Sequence, residues 1–96
     1  MARYILLFNW TEQGVKNSKD TITRLTNARQ AFEKAGAKLG ECWWTMGAYD
    51  MVACVEAPDD ETIAALTLAT AKLGNVRTTT MRAFNETEMQ RVLKKA

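Results

Sequence analysis

From Tyr4 to Phe8 the chain is apolar without a break, Tyr-Ile-Leu-Leu-Phe. So short a run, with no polar alternation, predicts a strand over Arg3 to Asn9 that is covered on both faces. Thr11 to Ser18 is polar around Gly14 and predicts a loop. Between Asp20 and Gly36 apolar residues return at Ile22, Leu25, Ala28, Phe32 and Ala35. That spacing is one face of a helix, and Gly36 suits its C-terminal cap. Strand-like segments follow at Leu39 to Met46 and Tyr49 to Glu56, and Gly47-Ala48 between them fits a two-residue type II′ turn. Pro58-Asp59-Asp60-Glu61 reads as a helix start with Asp59 as N-cap. Ile63, Leu66, Ala69, Thr70 and Leu73 continue that helix to Gly74. Asn75 to Phe84 is threonine-rich and predicts a fourth strand. Asn85-Glu86-Thr87-Glu88 has the form of a capping box and opens a last helix, with Met89, Val92 and Leu93 on its apolar side.

The predicted order is β-α-β-β-α-β plus a C-terminal helix, in a single α+β domain over residues 1–96. This is the ferredoxin-like arrangement, with a four-stranded antiparallel sheet. The third strand, from Tyr49 to Val55, is apolar at most positions on both faces. Helices can cover one face only, so the other face predicts packing against the same sheet of a second copy, hence a homodimer or higher.

Composition narrows the function more than it names it. The net charge of +2 is too small to argue for nucleic acid or a membrane surface. The cluster of positive charge between Lys16 and Lys38 reads as a solvated helix face. No apolar run is long enough to span a bilayer. Met1-Ala2-Arg3 leads directly into the first strand, without the pattern of a signal peptide. Together with only two cysteines, this predicts a reducing, cytoplasmic location. Histidine is absent, which removes the commonest general base and metal ligand and argues against a metal or other cofactor. Cys42 and Cys54 fall mid-strand and read as buried and inert, on opposite faces.

In this topology the C-terminal ends of strands one and two meet the starts of strands three and four. That end collects Asn9, Trp10, Trp44, Thr45, Tyr49, Asp50 and Arg77, with Thr78. Pairing outward from a Gly47-Ala48 turn sets Trp43 opposite Val52 and Thr45 opposite Asp50. Trp43, Thr45 and Asp50 then share one face, and Trp44, Met46, Tyr49 and Met51 the other. The opposite end gathers Arg3, Glu56 and Arg82, an ordinary surface ion-pair set.

Two readings fit the first end. The tryptophans are core or subunit packing, Asp50 bonds turn amides, and Arg77 pairs with Asp50. Alternatively Asn9, Trp10, Trp43, Trp44, Thr45, Tyr49, Asp50 and Arg77 form a ligand site. Aromatic walls would suit a small, flat organic ligand, and Arg77 an anionic one. Acid–base catalysis by Asp50 is disfavoured, because a nearby Arg77 would hold its proton affinity down.

The chain resembles the GYD-domain proteins, whose Gly-x-Tyr-Asp motif stands here as Gly47-Ala48-Tyr49-Asp50. The likeness extends through Asn9-Trp10-Thr11, Gly14, Glu56-Ala57-Pro58-Asp59-Asp60-Glu61, Gly74-Asn75-Val76-Arg77-Thr78 and Arg82-Ala83-Phe84. Cys42-Trp43-Trp44 is bulkier than the usual approach to the motif. The resemblance implies membership of the dimeric α/β-barrel group, in which two such sheets pack face to face. That group hosts enzymes, haem-handling proteins and regulators, so it implies no single activity. Gly47-Ala48-Tyr49 also has a superficial likeness to the aromatic strand of RNA-recognition domains. Met46 replaces the basic residue expected there and Asp50 follows, which argues against nucleic acid.

Overall fold

In the computed structural model, which describes residues 1–96, the chain begins with β1 (Ala2–Trp10), α1 (Glu12–Lys16) and α2 (Thr21–Lys34). A hairpin of β2 (Lys38–Trp44) and β3 (Met51–Ala57) leads to α3 (Asp60–Lys72), β4 (Val76–Ala83) and α4 (Glu86–Lys95). The strands form one four-stranded sheet in the order β2-β3-β1-β4, with every neighbouring pair antiparallel. This is the predicted ferredoxin-like α+β fold. No helix is long and apolar enough to cross a membrane.

The sheet has two unlike faces. Tyr4, Leu6 and Phe8 of β1 alternate with Ile5 and Leu7, and only the first set is buried. On β3, Met51, Ala53, Val55 and Ala57 are buried, while Val52 and Glu56 are half-buried and Cys54 is exposed. Phe32 of α2 and Ile63 and Leu66 of α3 join the buried set, so both long helices lie on that side. Burying a side chain such as Leu6 or Val55 stabilises the fold by about 1.5–3 kcal/mol. The expectation that β1 is sealed on both faces is therefore corrected: within one chain, one face is sealed and the other stays open. The same asymmetry corrects the expectation for Cys54, which lies on the open face. Cys42 lies half-buried on the helix side, where burial pushes its thiol up from the ordinary value.

Local signals explain the ends of most elements. Asp59 is the N-cap of α3: Oδ1 accepts from Thr62 N at 2.8 Å and from Thr62 Oγ1 at 2.7 Å. Those bonds hold its carboxyl below the usual carboxylate range. The Asn85–Glu88 capping box closes as read, with Glu88 N donating to Asn85 Oδ1 at 2.8 Å and Asn85 N to Glu88 Oε1 at 3.0 Å. Gly36 follows α2 at φ 81°, a left-handed turn that glycine accepts without strain.

Four expectations fail for identifiable reasons. Thr11 to Ser18 holds a short helix, because Thr11 accepts from Gly14 N at 3.1 Å as an N-cap. Ile22 and Ala35 are exposed, since the covered side of α2 runs through Leu25, Ala28 and Phe32. On α3, Leu73 is 70% exposed and Ala69 is exposed too, because α2 and α3 stand apart over the sheet. The β2–β3 connection is a six-residue loop over 45–50 rather than a two-residue turn, and Met46 is fully exposed at its tip. The pairings Trp43 with Val52 and Cys42 with Ala53 nevertheless hold. Nearer the start of β2, a bulge places Gly40 and Glu41 between the paired residues Leu39 and Cys42. Arg29 of α2 reaches this bulge, its Nη1 donating to Leu39 O at 2.6 Å and Gly40 O at 2.8 Å.

Candidate functional site

The Gly47-Ala48-Tyr49-Asp50 segment is held against the end of β1. Asp50 N donates to Phe8 O at 2.8 Å, and Asp50 Oδ2 accepts from Trp10 N at 2.9 Å. Asn9 Nδ2 donates to Ala48 O at 2.7 Å. Thr45 closes the loop from the β2 side, its N donating to Asp50 O at 2.9 Å and its Oγ1 to Tyr49 O at 2.6 Å. The bonds to β1 account for the wide loop: Ala48 and Asp50 are held by β1, which keeps the chain from closing a two-residue turn at Gly47-Ala48.

The same end carries a second clasp. Thr11 N donates to Asn75 O at 3.0 Å, and Thr11 Oγ1 to Gly74 O at 2.5 Å. Gln13 Nε2 donates to Leu73 O at 3.0 Å and Asn75 Oδ1 at 2.9 Å. Gly14 packs so closely that a Cβ built on it would lie 1.9 Å from Asn75 O. Only glycine permits this approach of α1 to the start of β4.

Of the eight residues read as a site, the structure joins five. Asn9, Trp10, Thr45, Tyr49 and Asp50 meet in the loop clasp. Trp43 stands apart on the open face, 48% exposed and opposite Val52. Trp44 lies on the helix side, its Nε1 donating to Thr21 Oγ1 at 3.0 Å. Arg77 sits opposite Asn9, exposed, and forms no ion pair with Asp50. The carboxylate of Asp50 therefore accepts from a backbone amide and latches the loop to β1.

A sizeable cavity lies on the other side of the sheet from Trp43. It is a cleft of about 440 Å³ between α2, α3 and the sheet, lined by Leu6, Phe8 and Trp10 below and by side chains of both helices. Neither Tyr49 nor Asp50 reaches it. Its volume falls within the roughly 300–1,000 Å³ of small-molecule pockets. Trp10 Nε1 is shielded from solvent and has no hydrogen-bond acceptor. Arg24, the one charged residue of the lining, donates to Asn17 O at 2.8 Å and Gly14 O at 3.3 Å and pairs with no carboxylate. The sequence carries a signal for this cleft in the small residues Ala28, Ala31 and Ala69 on the sides of the two helices that line it. Helical periodicity reads such positions as core and does not reveal that the helices touch only sparsely and leave a cleft between them.

At the opposite end, Tyr4 is buried and its hydroxyl donates to Asp60 Oδ1 at 2.5 Å. That bond, helped by burial, pushes the phenol above its ordinary value. Arg82 stacks over Tyr4 and Phe84, with its guanidinium carbon 5.7 and 4.6 Å from the ring centres. Arg3 pairs with Glu56 at 3.5 Å and Glu88 at 3.4 Å, and Arg82 with Glu88 at 3.8 Å. The expected Arg3, Glu56 and Arg82 set is thus present. Sequence reasoning misses Tyr4, Asp60 and Glu88 as its members, because Tyr4 reads as core and Asp60 and Glu88 read as first-turn residues of α3 and α4, whose placement against the sheet strand pairing does not give. No group of three or more metal-ligating side chains occurs in the chain.

Comparison with known proteins agrees with this architecture. The fold is similar to that of MtbAldR, with a TM-score of 0.69 at 15% identity over 88% of this chain. It is also similar to B. subtilis LrpC, with a TM-score of 0.61 at 18% identity over 88% of this chain. This chain spans about half the length of each, 54% and 51%. A Thermus thermophilus protein, named glutamine synthetase and cystathionine beta-lyase binding protein, is 31% identical over 85 residues. That match covers 88% of this chain and 90% of the relative. The GYD domain matches residues 4–93, which contain both clasps and the Tyr4 end of the sheet, and the chain belongs to the GYD-domain family.

Proposed function

We propose that this protein is a homo-oligomeric binding module, in which two copies pack open sheet face to open sheet face as a dimeric α/β barrel and the assembly holds other proteins. One observation carries the reading. Ile5, Leu7, Trp43, Val52, Cys54 and Met81 share the face that no helix of the same chain covers. Trp43 is 48% and Met81 45% exposed there, a poor state for large apolar groups in water. The name of the Thermus relative, a binding protein for two enzymes, supports protein partners for this chain as well.

Sedimentation equilibrium at micromolar concentration tests the assembly. A dimer is expected, and Trp43→Glu should return it to monomer without loss of helix content. The alkylation rate of Cys54 should fall as protein concentration rises. A folded monomer whose Cys54 reacts equally fast at all concentrations would overturn the reading.

A second reading is a small-molecule binder for a flat or anionic organic ligand. It is favoured by the helix-side cleft and by Trp10 in its wall.

A further inference from the structure

We infer that the cleft between α2, α3 and the sheet is a binding site for a small apolar carboxylate, with Trp10 Nε1 and Arg24 as its polar contacts. This deepens the small-molecule reading and is independent of how the chain assembles.

Four observations converge on it. The first is the empty volume. The cleft opens to solvent, so a guest can enter it without the core unpacking. A cleft of about 440 Å³ has room for roughly fifteen non-hydrogen atoms at about 30 Å³ each, the volume share of a water molecule. The second is its wall. Fifteen of the twenty lining residues are hydrophobic, so water gains few hydrogen bonds there and an apolar body is favoured.

The third is how the volume arises. Leu25 and Ala28 of α2, with Ala69 of α3 and Leu73 at its C-cap, line the cleft, yet the first two are only half-buried and the last two are exposed. Alanine at the facing positions leaves the helices with nothing to interlock. Apolar residues that line a cleft and still lack a partner are suited to a guest. The fourth is the pair of polar groups. Trp10 Nε1–H is a buried donor with no acceptor, and such a group is costly to leave unmade. A guest carrying an acceptor oxygen satisfies it after a small shift of the ring. Arg24 donates to the Asn17 and Gly14 carbonyls, which fix its guanidinium at the rim, and its positive charge, which no side-chain carboxylate neutralises, favours an anionic head.

The experiment uses three probes with one ten-carbon tail: decanoate, decanol and decylammonium. Binding to the full-length protein is followed by tryptophan fluorescence and by the shift in melting temperature. Decanoate is expected to bind and raise the melting temperature, and decylammonium to bind at least roughly tenfold more weakly, the worth of one charge-assisted contact. Arg24→Gln should remove most of the preference for decanoate over decylammonium while decanol binding stays within about twofold. Ala28→Phe fills the cleft. It should abolish binding of all three probes, and its unliganded melting temperature, equal to or above that of the wild type, reports that it folds.

Equal binding of decanoate and decylammonium would overturn the ligand class while leaving the small-molecule reading standing. Binding undiminished in a folded Ala28→Phe protein would overturn the cleft as the site. Failure of all three probes to bind the wild type would overturn the inference, while the reading of a flat organic ligand would stand.

Discussion

At the Trp10 end of the sheet most side-chain bonds go to the backbone, whereas the Tyr4 end adds a set of side-chain pairs, several of them ionic. Asp50, Asn9, Thr45 and Thr11 each satisfy a main-chain group of a neighbouring segment. Tyr4, Asp60, Arg3, Glu56, Glu88 and Arg82 form side-chain pairs, and most of them are charged. Backbone bonds fix where the chain goes and respond little to salt. Exposed ion pairs are screened and contribute little each. The motif end is thus the scaffold, and the Tyr4 end is the part that senses the solution. The Gly-x-Tyr-Asp motif attracts attention as chemistry, but its geometry is that of a fastener.

The strongest break in this comparison is Gly14→Ala. Its Cβ would meet Asn75 O at 1.9 Å, so the clasp between α1 and β4 must open. A loss of about 3 kcal/mol is expected in urea unfolding, at the upper end for overpacking. Asp50→Ala comes next. It strands the Trp10 amide, at a cost of about 1–3 kcal/mol, and Asp50→Asn should recover part of this because the amide oxygen still accepts. Neither loss should change greatly between low and high salt.

The Tyr4 end should respond to pH at both extremes. The bond from Asn85 N holds the Glu88 carboxyl below the usual range, with the arginines beside it contributing less. The unfolded chain therefore takes up that proton first as pH falls. The stability from Glu88 is present above about pH 4.3 and is lost as pH drops through its lower folded value. Tyr4 runs the other way. Its neutral form is favoured by the bond to Asp60, so that contribution is present below about pH 10 and disappears as pH climbs past it. Thermal unfolding of the wild type against Glu88→Gln and Tyr4→Phe checks both signs: each variant should flatten its own limb and leave the other. The smallest effect belongs to Arg77→Ala, under about 0.5 kcal/mol for an exposed side chain without a partner. With Asp50→Ala it should be additive within about 0.5 kcal/mol, where a hidden ion pair would couple them.

What the sequence discloses follows from the range of the forces concerned. Element order, the caps at Asp59 and Asn85, and the pairing of Trp43 with Val52 depend on periodicity and on residues a few positions apart. The loop at 45–50 escapes such reasoning because its shape is set by Asn9 and the β1 backbone, some forty positions away in sequence. The bond from Tyr4 to Asp60 is of the same long-range kind. The cleft depends on a distance between two helices, which no single helix encodes. Gly40, by contrast, is a local signal for its bulge, since an isolated glycine inside a strand marks one.

That bulge bears on how the protein avoids uncontrolled growth. β2 is an outer strand of the sheet, and an outer strand offers free acceptors along which foreign chains can add and polymerise. Here Arg29 has already taken the carbonyls of Leu39 and Gly40, and the extra residue breaks the regular spacing that an incoming strand would need. An arriving segment would meet a cation and a kink in place of a ladder. This stretch of the margin is thereby a poor template for an added strand, and Arg29→Ala should make it a better one without touching the sheet's broad side.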